Sequence, residues 1–134
     1  MRGCARAPVR VDPAGGGTDA PPYCIEYGGA VVNFAVQRHA FAYAQGLEPG
    51  KGIILYAMDL QEGVVSQSVS GLGLVSRLEF IKAFITRLIP EGDSLLLVTE
   101  TDVPAGSGLG GSGALGVAIV AALDDRPVVA VTMS

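Results

Sequence analysis

Tryptophan is missing from these 134 residues, histidine occurs once (His39), and lysine only twice (Lys51 and Lys82). Nine Lys and Arg against thirteen Asp and Glu leave a net charge of -4 with no basic run. That excludes nucleic acid or an anionic membrane as the main partner, because both need clustered positive charge. Cys4 and Cys24 are too few for a disulfide framework and lack the spacing of a zinc site. No apolar run reaches the length of a membrane span, and the first six residues lack the apolar core of a signal peptide, so the expected location is cytoplasmic. Disorder is excluded as well, since 49% of the residues are apolar, enough at this length for one domain with a real core.

What the chain has instead is glycine, 19 residues of it. The densest stretch is Pro104-Ala105-Gly106-Ser107-Gly108-Leu109-Gly110-Gly111-Ser112-Gly113-Ala114, which lies between an apolar segment at 95–99 and an apolar run at 115–123 that suits a buried helix. A loop this poor in side chains lets backbone N–H groups approach an anion, and a helix starting behind it adds its positive dipole end. A flexible linker is the plain alternative, but a linker has no reason to be hemmed in by an apolar strand and an apolar helix. The stretch therefore reads as a phosphate cradle.

Residues 5–12 alternate, with Arg6, Pro8, Arg10 and Asp12 opposite Ala7, Val9 and Val11, so a strand is expected that carries Arg10 and Asp12 on one face. It runs into a second glycine turn, Pro13-Ala14-Gly15-Gly16-Gly17-Thr18-Asp19, followed by Pro21-Pro22, which cannot lie inside a helix. Residues 30–37 and 40–45 read as adjacent antiparallel strands with Phe41 and Tyr43 on one face, and 52–57 with 64–69 as a hairpin turning at 59–63. Leu74, Leu78, Ile81, Ile85 and Leu88 recur at helical spacing, with Arg77, Lys82 and Arg87 on the other side, until Pro90 ends the pattern. After the central loop and its helix, Asp124-Asp125-Arg126-Pro127 breaks the chain, and 128–131 is a short strand or a tail. The fold class that follows is α+β, mostly antiparallel sheet with helices packed on one face.

The central loop satisfies G-x-G-x-x-G, but a dinucleotide fold would place the glycines directly after the strand and a ribose-binding acid about 20 residues on. Here 101–104 intervene, and Asp124 and Asp125 look like surface acids at a helix end. A P-loop fails too, because no lysine stands between Gly111 and Ser112. A triphosphate on this loop must then be met by backbone amides, the helix dipole and a divalent metal, most plausibly Mg²⁺, with Ser112 as the natural metal ligand. Ser112 as a helix N-cap is the structural alternative, compatible with the first. Arg10 has a plain alternative as the ion-pair partner of Asp12 or Asp19, Asp19 has one as a turn former, and His39 reads as structural.

The two glycine stretches carry a family resemblance. Residues 104–114 resemble the second motif of the GHMP kinases. The segment from Arg6-Ala7-Pro8-Val9-Arg10 through Thr18-Asp19, continued by Pro21-Pro22-Tyr23 and Gly28-Gly29-Ala30-Val31-Val32-Asn33, resembles the first motif in its sugar-kinase form, as in heptose 7-phosphate kinases and fucokinase domains. The resemblance implies a ribosomal-protein-like two-layer domain with ATP and Mg²⁺ on Pro104, Gly106, Ser107, Gly108, Leu109, Gly110, Gly111, Ser112 and Gly113. It further implies that Asp19 holds sugar hydroxyls, that Gly15, Gly16, Gly17 and Thr18 shape the substrate pocket, and that Arg10 lies near the transferred phosphoryl group. It gives no job to Tyr23 or Asn33, which also match. The partner it implies is a small sugar or sugar phosphate.

Pro13 stands where related sequences usually carry a large apolar residue, and Ala20 where they tend to carry leucine, which removes packing beside the substrate loop. GHMP kinases continue into a second domain with a third glycine motif, and many take their catalytic base from downstream. The resemblance therefore implies that residues 1–134 are one ATP-binding domain of a longer architecture, without significant kinase activity alone and with apolar surface left open to self-association. A non-catalytic nucleotide-binding module that needs a partner, and less favourably a Rossmann-like NAD-binding domain, are the alternatives.

Overall fold

The structure, a computed structural model, describes residues 2–73 and 78–124. Along the chain lie β1 (Arg2–Ala14), α1 (Tyr23–Tyr27), β2 (Val32–Gly46), β3 (Ile53–Ala57), β4 (Glu62–Ser66), α2 (Glu79–Leu88), β5 (Leu95–Thr101) and α3 (Gly111–Leu123). The strands form one sheet in the order β1-β2-β5-β3-β4. Three neighbouring pairs are antiparallel, and β3 with β5 is parallel. This is the α+β, mostly antiparallel architecture that the sequence implies.

Alternation along the strands decides which face is covered. In register, Gly3, Ala44, Leu97 and Leu55 lie across the sheet on one face, and Ala42, Thr99 and Ala57 form the next row. Those residues other than Gly3 are buried, together with Ala7, Val9, Ala40, Ile53 and Leu95. Ala114, Ala118, Ile119 and Ala122 of α3 and Ile81 and Ile85 of α2 close over them in one core. Burying a large aliphatic side chain stabilises by about 1.5–3 kcal/mol, so this face holds the domain together. The opposite face, with Phe41, Tyr43, Ile54, Leu96 and Val98, is half-buried.

Small residues set the seat of α3. A Cβ on Gly3 would lie 1.9 Å from the Ala122 carbonyl oxygen, and one on Gly116 would lie 2.8 Å from the Phe84 ring. The helix therefore touches β1 backbone to backbone at its end and takes an aromatic ring of α2 at its middle.

Four local expectations are corrected. The two strands expected at 30–37 and 40–45 are one strand, β2, and the polar interruption at Gln37 and Arg38 is an irregularity in it: the register shifts between Pro8↔His39 and Arg10↔Ala35. A bulge keeps the strand running while releasing the alternation that would have marked it. Lys82, placed by periodicity on the outer side of its helix, is 3% exposed, its ammonium donating to the Gly73 carbonyl at 2.6 Å. Leu88, expected inside, is exposed. The helix of the central loop begins at Gly111 rather than after the loop. Leu74, Arg77, Asp125 and the strand or tail at 128–131 lie outside the described residues. Among the described residues no helix is long and apolar enough to cross a membrane.

Candidate active site

β5 delivers the chain to the central loop through Asp102. Its carboxylate accepts the His39 N–H at 3.2 Å, and its own N–H donates to the His39 carbonyl at 2.9 Å. His39 thus acts here through its main chain. Beyond the buried Val103, Gly106, Gly108 and Gly110 adopt φ of +76°, +73° and +68°, a left-handed backbone that only glycine enters without cost. Their alternation winds the loop tightly back towards α3.

The first bond of α3 runs from the Ala114 N–H to the Gly110 carbonyl at 3.0 Å. The amides of Gly111, Ser112 and Gly113 therefore have no acceptor inside the helix. Gly110 is the N-cap, no side chain caps the helix, and no acidic residue stands in the first turn. Ser112 is consequently not a cap, and its hydroxyl is exposed. What this end offers is a set of outward-pointing N–H groups with the positive end of the helix dipole behind them.

Beside the loop opens a cleft of about 330 Å³. Pro104, Ala105, Gly106, Ser107, Gly108, Gly110, Gly111 and Ser112 line it, facing an apolar side made by Leu60, Phe80, Ile81 and Leu115, with Asp59 and Thr101 as polar groups. Leu109 instead packs against the core. A side chain on Gly113 would meet nothing within 4 Å, so no packing in this chain explains a residue that weakens a helix by about 1 kcal/mol relative to alanine. Open space over a first-turn glycine suits a group arriving from outside, and the residues present fit a nucleotide with its phosphates. Among the described residues no group of three or more His, Cys, Asp or Glu lies together so as to hold a metal.

Asp59, Leu60, Phe80, Ile81, Thr101 and Leu115 escaped the sequence reading as site residues. Asp59 and Leu60 read only as turn residues. They reach the cleft because β3 runs parallel to β5, with the Met58 N–H bonded to the Thr99 carbonyl at 2.8 Å. No local pattern announces that long-range pairing.

The first glycine motif meets the second through Arg10. The Arg10 N–H donates to the Leu109 carbonyl at 2.9 Å, and the side-chain stem lies 3.4 Å from where a Gly110 Cβ would stand. Its Nε is 3.5 Å from Asp12 Oδ1, so Asp12 and not Asp19 is the ion-pair partner. Asp12 in turn lies under the loop, its Cβ 3.7 Å from where a Gly16 Cβ would stand. Gly110, Arg10, Asp12 and Gly16 thus form a continuous line between the two loops. Gly15, Gly17, Thr18 and Asp19 lie beyond it, outside the cleft, and Asp19 is exposed.

Comparison with known proteins decides the family. Residues 75–126 match the model of the GHMP kinases N terminal domain. The chain carries a GHMP kinase N-terminal domain. It is 35% identical over 121 residues to the D-glycero-alpha-D-manno-heptose 7-phosphate kinase of Campylobacter jejuni, across 87% of this chain and 35% of that protein. It is 30% identical over 145 residues to the L-fucokinase/L-fucose-1-P guanylyltransferase of Bacteroides fragilis, across 90% of this chain and 15% of that one. Its fold superposes on a D-glycero-D-manno-heptose 1-phosphate kinase from Bacteroides thetaiotaomicron with a TM-score of 0.81 at 33% identity, covering 92% of this chain and 41% of that chain. This GHMP kinase N-terminal domain therefore spans about a third of the length of the curated heptose kinase it matches. Its mixed sheet, with a single parallel pair among the described residues, is not the doubly wound parallel sheet of a Rossmann unit.

Proposed function

We propose that this domain binds Mg-ATP in the cleft and serves ATP-dependent phosphoryl transfer to a hydroxyl of a sugar or sugar phosphate of the heptose 7-phosphate kind. The observation that carries the reading is the continuity of the two loops. One end of the cleft offers unbonded helix amides, and Arg10 joins that end to a second glycine loop. Leu60, Phe80, Ile81 and Leu115 would take the apolar nucleobase, and the turns at 106–113 the phosphates. Ser112, whose hydroxyl caps nothing, would complete the Mg²⁺ shell.

Arg10 would lie where the γ-phosphoryl group leaves one loop for the other, its charge offsetting that of the transferring group. Phosphoryl transfer asks little covalent chemistry of the protein; positioning and charge neutralisation do most of the catalysis. Gly15 to Thr18 would shape the acceptor pocket and Asp19 would hold acceptor hydroxyls, which matches the relatives' printed substrates, both of them sugar derivatives.

Calorimetric titration of the purified chain with Mg-ATP, with NAD, and with Mg-ATP on a Ser112→Ala variant tests this reading. Saturable Mg-ATP binding that weakens in the variant is expected. Preference for NAD, or no nucleotide binding by a chain that unfolds cooperatively, would overturn it.

A further inference from the structure

The first glycine loop is closed by one side chain. Thr18 Oγ1 directs its proton at the Gly15 carbonyl at 2.7 Å, has the Ala30 carbonyl at 3.1 Å, and accepts the Ala30 N–H at 3.2 Å. The Thr18 N–H also donates to the Gly15 carbonyl at 3.1 Å, making the turn itself. One hydroxyl therefore ties the start of the loop, its end, and the segment that follows α1.

Two glycines let the backbones come that close. A Cβ on Gly15 would lie 1.9 Å from the Ala30 oxygen, and a Cβ on Gly29 would lie 2.0 Å from the Thr18 oxygen. This contact stands on an otherwise exposed arm: α1 buries none of its residues, and 32–35 of β2 are exposed. The hydrophobic core cannot hold the loop, so the hydroxyl does.

We propose that Thr18 is a positioning residue, its hydroxyl fixing the loop so that the neighbouring Asp19 is presented to the acceptor, rather than a group that binds the acceptor itself. The single proton of the hydroxyl and one of its two lone pairs are engaged within the chain, whereas the exposed Asp19 carboxylate has no ion pair or hydrogen bond among the described residues. The proposal rests on reading the first loop as the sugar site, but the hydroxyl's hold on the loop is measurable without any sugar.

The experiment compares the wild-type chain with Thr18→Ser and Thr18→Val by amide hydrogen exchange at Ala30, and by titration with D-glycero-D-manno-heptose 7-phosphate and separately with Mg-ATP. Valine keeps the shape and removes the hydroxyl. Exchange at Ala30 should rise about tenfold or more in Thr18→Val, with sugar phosphate affinity falling, Mg-ATP affinity unchanged, and Thr18→Ser close to wild type. Unchanged exchange at Ala30 in Thr18→Val overturns the proposal, as does a serine variant as impaired as the valine one. Should the wild type bind no sugar phosphate while Thr18→Val still frees Ala30, the substrate reading fails and the hold of the hydroxyl stands.

Discussion

The main-chain N–H of Arg10 donates to the carbonyl of Leu109 at 2.9 Å, binding the strand that leads into the first glycine loop to the middle of the second. The next residue of that loop, Gly110, holds φ at +68° with the Arg10 stem against it. Alanine at 110 would enter a left-handed backbone at a cost of about 1–2 kcal/mol and meet Arg10 at 3.4 Å. Gly110→Ala should therefore lower stability by about that amount in urea unfolding and weaken Mg-ATP binding more than Ser112→Ala does. Equal Mg-ATP affinity in wild type and Gly110→Ala would show that the loop's winding is irrelevant to the nucleotide.

Ser112 allows a cleaner separation. Because no side chain caps α3, Ser112→Ala should leave the unfolding midpoint close to wild type, where removal of a true N-cap would cost about 1 kcal/mol. Mg-ATP affinity should fall about tenfold, the weight of one hydrogen bond or ligand contact to a charged group. ATP titrated in EDTA should bind both proteins alike. A variant that loses the same factor with and without Mg²⁺ would assign Ser112 to phosphate and not to metal.

Much of this domain was legible because its alternation and its glycines are local signals. The buried row Ala7 and Val9, strand β3 and the stripe Ile81 and Ile85 lie where period-two and helical spacing put them, whereas β4, expected at 64–69, runs Glu62–Ser66. What stayed hidden depends on contacts between distant segments. Lys82 goes inside because its ammonium finds the Gly73 carbonyl, and β2 continues through Gln37 and Arg38 by bulging against β1, between the pairs Pro8↔His39 and Arg10↔Ala35. The central glycine loop stands out in the composition, but the wall opposite it, Leu60 and Phe80, comes from a turn and a helix face brought there by the parallel pairing of β3 and β5.

The chain by itself is expected to lack significant kinase activity. On the proposed reading its two loops would supply a phosphate cradle and an acceptor loop, and the carboxylate on the line between them, Asp12, is already paired with Arg10. A coupled assay of ADP release with heptose 7-phosphate should stay near background. Turnover of about 1–100 per second, the ordinary range of kinases, would overturn the expectation and make Asp12 the first residue to substitute.

Association between copies is the last expectation, and it follows from where apolar surface lies. Tyr23, Ile25, Tyr27, Val32 and Phe34 are 50–76% exposed on the arm that carries the first loop, and Val117 and Val120 are open on the outer side of α3. A helix apolar on all sides is normally covered, and contiguous apolar patches on a soluble protein mark contact surfaces or aggregation sites. Light scattering should show a mass that rises with concentration, and exchanging Ile25 and Val32 for aspartate should lower it if the arm is the contact. A monodisperse monomer at high concentration would show that these residues, exposed as they are, do not drive association.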